Sequence, residues 1–448
     1  MNSRNASLCL FLLGLFSMTQ FHLIGNIGIS ELFVFIAAPL IFIQDYRVLK
    51  YDGFMPAVWL ALLSCAGCII GSYANGTPAY NVIRGFATTY SAFAIIVVGH
   101  RLVRQAPNGY KWLCLGWGLT WIVNIFVFQR GVEADIYGGG YRGAAAVEGI
   151  VNGTLFWITR LTHLVRIPIE GWYLSTPTVY SISAPIFLFL FAAFTSASGR
   201  STAVAAFFSA MFVFLSGRSQ ARMRRLSTQI WFILIIALFI AQGLAYIYKT
   251  TAKQGVLGEN AQKKYETQMS ERGSGLIQTL MGGRIDFFVG AYSALRKPII
   301  GYGPKPIDRY GYYRDFIVKY GTQKELDDYQ KYHQWAANTL GRTIADGLGG
   351  HSHIVGWWLE DGIFGLLFWS YVLWCIFRYF RRDLATVPQW YGMLAVGMPS
   401  MVWAIFFSPF GDRVQYIMMF VYILMAKAIR LGRFRLPPDM ILEISRHR

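Results

Sequence analysis

The sequence predicts an all-α, polytopic integral membrane protein, and three observations lead to this fold class. The 448 residues are 55% hydrophobic and 14% charged, whereas soluble domains are roughly 25% charged. Apolar runs near the ~20-residue length that spans a bilayer recur along the chain. The second half contains one long polar interruption, residues 250–362. We therefore expect about 12 transmembrane helices and one large extracytoplasmic loop.

Eleven apolar segments are evident membrane spans. The first could be a signal peptide, but it has no convincing small-residue cleavage site, so we interpret it as a span that stays in the mature protein. The eleven segments cover residues 7–25, 28–44, 54–73, 86–103, 111–129, 178–198, 201–217, 229–248, 361–380, 391–408 and 413–430. We divide the chain into an N-terminal transmembrane bundle (1–248), a large loop that carries the active site (249–360), and C-terminal transmembrane helices with a cytoplasmic tail (361–448).

The net charge of +18 indicates orientation in the membrane rather than nucleic-acid binding. Lys and Arg concentrate in short loops between spans, as the positive-inside rule requires. Eleven spans cannot place all these loops in the cytoplasm, so we expect a twelfth crossing within 130–177, best at 149–169. Arg160, His163 and Arg166 make that segment costly in lipid, and an interfacial helix is the alternative. With this crossing, Arg200, Arg284 and His351 share the extracytoplasmic side with residues 250–362.

Two arginines on that side are candidate phosphate ligands. Arg200 lies among small residues that permit close approach, and Arg284 follows Gly282 and Gly283. Arginine presents a planar fork of donors that matches phosphate oxygens and stays charged. Contact of each arginine with lipid headgroups is the alternative for both positions.

A turn and two histidines complete the candidate set. Residues 301–304 (GYGP) predict a turn whose amides could also bind an anion. His351 suits proton transfer from a hydroxyl, although Ser352 also predicts a helix N-cap here. No third ligand accompanies His351 and His353, so we do not expect a metal. Cys65 and Cys68 have CxxC spacing without a second pair, and we interpret them as small residues on one helix face.

The 304–350 loop is rich in Tyr with interspersed Asp and Lys, a composition typical of carbohydrate sites as well as of a folded helical cap. Three elements then occur in order: Ser198-Gly199-Arg200, the GGR…PIIGYGP segment (282–304), and His351-Ser352 followed after nine residues by Gly362 and Gly365. This order resembles the bacterial O-antigen ligase and polymerase family, over roughly residues 178–380.

The resemblance implies a glycosyltransferase of the bacterial inner membrane with a periplasmic active site and no cofactor. It would polymerise undecaprenyl-diphosphate-linked repeat units of O-antigen or exopolysaccharide by inverting block transfer. Arg200 and Arg284 would hold the diphosphate, and His351 would activate a glycan acceptor. We expect further substrate contacts from five residues: Arg142, Arg160, Tyr302, His353 and Glu360. Other polysaccharide assembly proteins are candidate partners, and nucleic acid is not.

Two other functions remain open at this point. A ligase would transfer finished glycan to lipid A core or another acceptor. The residues Leu366, Leu367 and Phe368 stand where ligases commonly carry small hydroxyl residues, which favours the polymerase. A transporter or flippase would line a path with its basic residues, but such proteins often contain two similar halves. We find no internal repeat in the sequence.

Overall fold

A computed structural model shows a mostly helical protein. The structure describes residues 2–17, 20–22, 26–126, 250–256 without 252, 262, 285–339, 348, 352–383, 386–387, 390–407 and 413–433. The described helices are α1 (Ser3–Leu15), α2 (Ile29–Asp52), α3 (Met55–Asn75), α4 (Ala79–Gln105), α5 (Tyr110–Phe126), α6 (Ile285–Arg296), α7 (Tyr312–Tyr320), α8 (Gln323–Thr339), α9 (His353–Asp361), α10 (Ile363–Asp383), α11 (Tyr391–Phe407) and α12 (Arg413–Arg430).

Several of these helices have the length and surface of membrane spans. Within the described residues, four are long and apolar enough to cross a bilayer: α2, α3, α4 and the Ile363–Phe380 part of α10. Along α2 the side chains of Phe33, Ile36, Leu40 and Ile43 are exposed on the outside of the protein. Since water would disfavour such a stripe, the helices indicate a membrane protein. The predicted spans at 28–44, 54–73, 86–103, 111–129, 361–380, 391–408 and 413–430 each coincide with a described helix.

The first predicted span, 7–25, is wrong in its second half. Helix α1 ends at Leu15, and a short antiparallel pair follows, in which β1 (Gln20–His22) pairs with β2 (Asn26–Gly28). Polar Gln20 and His22 interrupt the apolar pattern, and Gly25-Asn26 has the composition of a turn. The predicted spans at 178–198, 201–217 and 229–248, and the twelfth crossing at 149–169, lie outside the described residues.

Two hydrophobic clusters organise the described residues. The large one joins α1 to α5 with α9 to α12, and its buried aromatic residues include Trp369, Trp390 and Phe420. The Trp390 indole donates to the Pro107 carbonyl oxygen at 3.2 Å, which ties the start of α11 to the turn before α5. The smaller cluster, with Val289, Tyr302 and Leu359 among its members, packs α6 and α7 against α9. The 285–320 part of the predicted loop is therefore folded and helical.

Helix α3 runs between two polar ends of the bundle. At one end, which we call the basic end, Arg433 Nη1 donates to the Tyr51 carbonyl oxygen at 3.1 Å, and the last turns of α2, α4, α10 and α12 meet. At the other end, which we call the turn end, Asn75 meets the GYGP turn. Cys65 and Cys68 lie buried on α3 between these ends. The turn end holds the described part of the predicted site.

Candidate functional site

The GYGP turn is bonded along its backbone to the end of α9. The Tyr302 amide donates to the Leu359 carbonyl oxygen at 2.7 Å, and the Gly303 amide donates to the Glu360 carbonyl oxygen at 3.0 Å. The Ile363 amide donates to the Ile299 carbonyl oxygen at 3.0 Å. Because these amides are used within the protein, the structure supports the turn interpretation and not an anion site built from the amides of Tyr302 and Gly303.

Asn75, at the end of α3, fixes this turn to the membrane helices. Its side-chain amide donates to the Gly301 carbonyl oxygen at 3.2 Å, and its side-chain oxygen accepts from Lys297 Nζ at 2.6 Å. Its backbone oxygen accepts from Arg309 Nη2 at 3.3 Å. One residue thus joins α3 to both sides of the turn, and two cations are held at the same place.

The sequence around the HS…GIFG pattern folds as a capped helix. Ser352 Oγ accepts from the Val355 amide at 3.1 Å and donates to the Ile405 carbonyl oxygen at 2.7 Å. The predicted N-cap is confirmed, and the same hydroxyl also ties α9 to α11. At the other end, Gly362 has φ 69° and ψ −148°, which separates α9 from α10. A Cβ at Gly362 would overlap the Ile299 carbonyl oxygen, so only glycine fits this junction.

Two adjacent carboxylates lie where α9 meets the turn. The Asp361 side chain is 1% exposed, and its Oδ2 accepts from Ser64 Oγ at 2.7 Å. Glu360 is half-buried, and its Oε1 accepts from the Lys305 amide at 3.3 Å. Burial raises the pKa of Glu360 to about 7, although the Lys305 amide and the charges of Lys305 and Arg413 oppose this shift. Glu360 therefore exchanges its proton near neutral pH, as a group that takes part in proton transfer must.

Three cations that were not predicted as site residues lie at the turn end: Lys305 and Arg413 act on Glu360, and Arg84 acts on Lys305. Arg84 lies on α4 and Arg413 opens α12, while Lys305 follows the GYGP turn. Burial, and then the charge of Arg84, lower the pKa of Lys305. Lys305 also has φ 50°, the one positive φ of a non-glycine residue in the described part of the chain. Such backbone strain is concentrated at functional sites.

His353 and Tyr302 contribute packing rather than exposed donors. His353 is 4% exposed, and its ring stacks on Trp369 with centroids 4.8 Å apart. Burial and the charge of Arg413 lower the pKa of His353 to about 3, so the ring is neutral at ordinary pH. The buried Tyr302 donates its hydroxyl to the Ser293 carbonyl oxygen at 3.0 Å. Both side chains are therefore packed within the protein, and their contact with a substrate stays a prediction.

Of the predicted site residues, the structure brings Tyr302, His353 and Glu360 to one end of the bundle. The other five predicted site residues lie outside the described residues: Arg142, Arg160, Arg200, Arg284 and His351. In the sequence, Arg284 directly precedes α6 and His351 directly precedes the Ser352 cap. The signal that could have identified Arg84 is its place one turn into an apolar helix, where an arginine is costly unless it has a function or a polar partner.

Comparison of the chain with protein families, with curated proteins and with solved structures gave no match. The functional argument therefore depends on the sequence pattern and on the geometry of the turn end.

Proposed function

We propose that this chain is a glycosyltransferase of the bacterial inner membrane that polymerises undecaprenyl-diphosphate-linked oligosaccharide repeat units. The observation that carries the proposal is the direct contact between two motif elements that lie about 50 residues apart in the sequence. The GYGP turn and the end of α9 share two backbone hydrogen bonds, and a third joins Ile299, just before the turn, to Ile363 at the start of α10. A pattern that brings its elements together in the fold is better explained by a common site than by chance.

The orientation of the helical bundle in the membrane supports a periplasmic site. The basic end contains the end of α2 and four cations of α10 and α12, namely Arg378, Arg382, Lys427 and Arg430. The positive-inside rule assigns that end to the cytoplasm. The turn end, at the opposite terminus of α3, then faces the periplasm, where lipid-linked repeat units are available to a polymerase.

The charges at the turn end suit a lipid diphosphate. Lys305 and Arg413 act on Glu360, Arg84 acts on Lys305, and Lys297 and Arg309 are held by Asn75. Glu31 pairs with Arg413 at 3.3 Å and partly offsets its charge. Cations that face a leaving group stabilise the charge that develops on it in the transition state. In the proposal, Arg200 and Arg284 bind the diphosphate directly, and the described cations add to the field.

The chemical step needs one base and one leaving group. His351 takes the proton of the acceptor sugar hydroxyl, whose oxygen attacks the anomeric carbon of the donor. The bond between that carbon and the diphosphate oxygen breaks, and undecaprenyl diphosphate leaves with the electron pair. Attack opposite to the leaving group inverts the anomeric centre. In the proposal, Glu360, with its pKa near 7, accepts a proton from the site after transfer.

The test measures glycan chain length on the lipid carrier for His351→Ala and Arg284→Ala. We expect both variants to lose polymerisation by at least about 100-fold, the contribution typical of a general base or an electrostatic donor. His333→Ala on α8 and Arg314→Ala on α7 remove the same residue types from the same extramembrane segment and should polymerise normally.

Three outcomes discriminate the alternatives. Unchanged chain length and attachment in both variants would exclude an enzyme and favour a transporter. Wild-type protein that transfers finished glycan to an acceptor but does not extend it would be a ligase. Loss of turnover of purified protein in EDTA would contradict the metal-free mechanism.

A further inference from the structure

A pocket of about 610 Å³ opens at the basic end between α10 and α12, far from the turn end along both helices. Four cations line it: Arg378, Arg382, Lys427 and Arg430. Trp374, Arg378 and Arg382 repeat every four residues on α10, and Lys427 and Arg430 are three residues apart on α12. Residues at these spacings share a helix face. The two helices therefore present their cations to the same opening.

The positive charge of this pocket is only partly neutralised. Arg430 Nε forms an ion pair with Asp383, whose side chain is buried. Lys427 Nζ lies 4.5 Å from the centroid of the Tyr379 ring, an attractive cation–π geometry that leaves the charge in place. Arg378 and Arg382 are exposed at the rim. Counting Asp383 against the four cations leaves an excess of three positive charges among the described residues of this pocket.

The residues of α10 that line the pocket change from aromatic to basic along the helix axis. Trp374 is 48% exposed and Phe377 is 72% exposed, and both line the pocket on its apolar side. Trp374 lies about 6 Å deeper than Arg378 and about 12 Å deeper than Arg382, from the 1.5 Å rise per residue. An occupant therefore meets aromatic surface towards the bilayer centre and cations towards the membrane surface. That arrangement matches an amphiphile with an anionic head, and basic pockets between transmembrane helices on the cytoplasmic side bind lipid headgroups.

We infer that the pocket between α10 and α12 binds the phosphate headgroup of an anionic membrane phospholipid, whose acyl chain lies against Trp374 and Phe377. Arg378 and Arg382 contact the phosphate from the rim, and Lys427 and Arg430 from within. The inference depends on the membrane location of the chain and not on glycosyl transfer.

The experiment uses the full chain in detergent with added phosphatidylglycerol or phosphatidylcholine and measures bound lipid by native mass spectrometry. We expect selective retention of phosphatidylglycerol by the wild type. The double variant Arg378→Gln/Arg382→Gln should weaken that binding about tenfold or more, because each cation near a lipid phosphate contributes appreciably. Both side chains are exposed, and Arg430 keeps its pair with Asp383, so the variant should fold.

Arg101→Gln is the matched control, since it removes a cation from α4 that is paired with Asp45 at 3.5 Å and lies outside the pocket. Normal lipid retention by this variant and loss by the double variant would support the site. Equal retention of both lipids, or equal loss in the control and the double variant, would overturn it. Competition by inorganic phosphate as effective as phosphatidylglycerol would assign the pocket to a free anion instead of a lipid.

Discussion

Two carboxylates at opposite ends of the helical bundle, Asp52 and Glu360, differ in how their charge is compensated. At the basic end, Asp52 Oδ2 accepts from His100 Nε2 at 2.8 Å and also from Arg104, and both partners approach a carboxylate that is fully buried. Asp383 pairs with Arg430 at the same end. At the turn end, Arg413 pairs with Glu31 at 3.3 Å, whereas Glu360 accepts from a backbone amide and has no ion pair within 4.0 Å among the described residues.

This difference distinguishes carboxylates that hold helices together from one that is available for proton transfer. Asp52 joins α2 to α4 through two ionic partners, so its charge is compensated where it lies. Glu360 has cations in its surroundings but no direct ionic partner in the described part of the chain, so burial raises its pKa. We therefore expect the replacement of a carboxylate by its amide to change the stability of the protein in opposite directions at Asp52 and at Glu360.

The largest loss of stability is expected on replacing Asp52. Replacing it by Asn leaves Arg104 and His100 without their carboxylate, and breaking a buried ion pair by removing one partner costs about 3 kcal/mol. The free energy of unfolding, measured by denaturant titration of the purified protein in detergent, should fall accordingly. Asp45→Asn, which removes the partly exposed pair with Arg101, should cost less than about 1 kcal/mol. Similar values for the two variants would mean that Asp52 is not a structural ion pair.

The next largest loss of stability is expected on replacing Gly362. Alanine there adds a Cβ against the Ile299 carbonyl oxygen at a positive φ, and we expect a cost of about 2–3 kcal/mol. Thermal unfolding in detergent measures it. Gly356→Ala on the same helix is the control, because its added Cβ meets no atom within 4 Å. That control should be neutral or stabilising, since alanine is the better helix former, and destabilisation of both variants would argue against strain at the junction.

The third effect, and the one that sharpens the comparison most, is a change in the pH dependence of stability at Glu360. Its pKa in the folded protein is about 7 against an ordinary value of 4.5. The folded state therefore binds more protons between these values, and stability should decrease as pH rises from about 4.5 to 7. In Glu360→Gln this part of the pH dependence should be lost, and the variant should be at least as stable as wild type at pH 8. Melting temperature against pH measures it.

An exposed carboxylate provides the reference for that measurement. Asp327→Asn on α8 should retain the wild-type pH profile. A Glu360→Gln profile that matches the wild-type slope would show that the carboxylate titrates at its ordinary pKa in the folded protein.

The sequence was sufficient where local composition determines the structure. Apolar runs predict the helices from α2 to α5 and from α10 to α12 within a few residues, except that α2 ends eight residues later and α4 begins seven residues earlier than predicted. Ser352 predicts the cap of α9. The sequence was insufficient to predict contacts between residues that are distant in the chain. Arg84 and Lys305 are more than 200 residues apart, and no periodicity relates them. Nor could the sequence show that Tyr302 and His353 are buried, because exposure depends on tertiary packing that a motif does not encode.

The contacts of Asn75 have a consequence for how the protein is made. Its side-chain partners, Lys297 and Gly301, follow it by 222 and 226 residues. At 5–20 residues per second, the ribosome needs roughly 10–45 s to synthesise that interval. During this period α3 is already available for insertion, while its polar terminus still has hydrogen bonds to form. Completion of the turn end is therefore a late step in biogenesis, and nascent chains that stop before Lys297 contain the membrane anchor of the site without the turn that it holds.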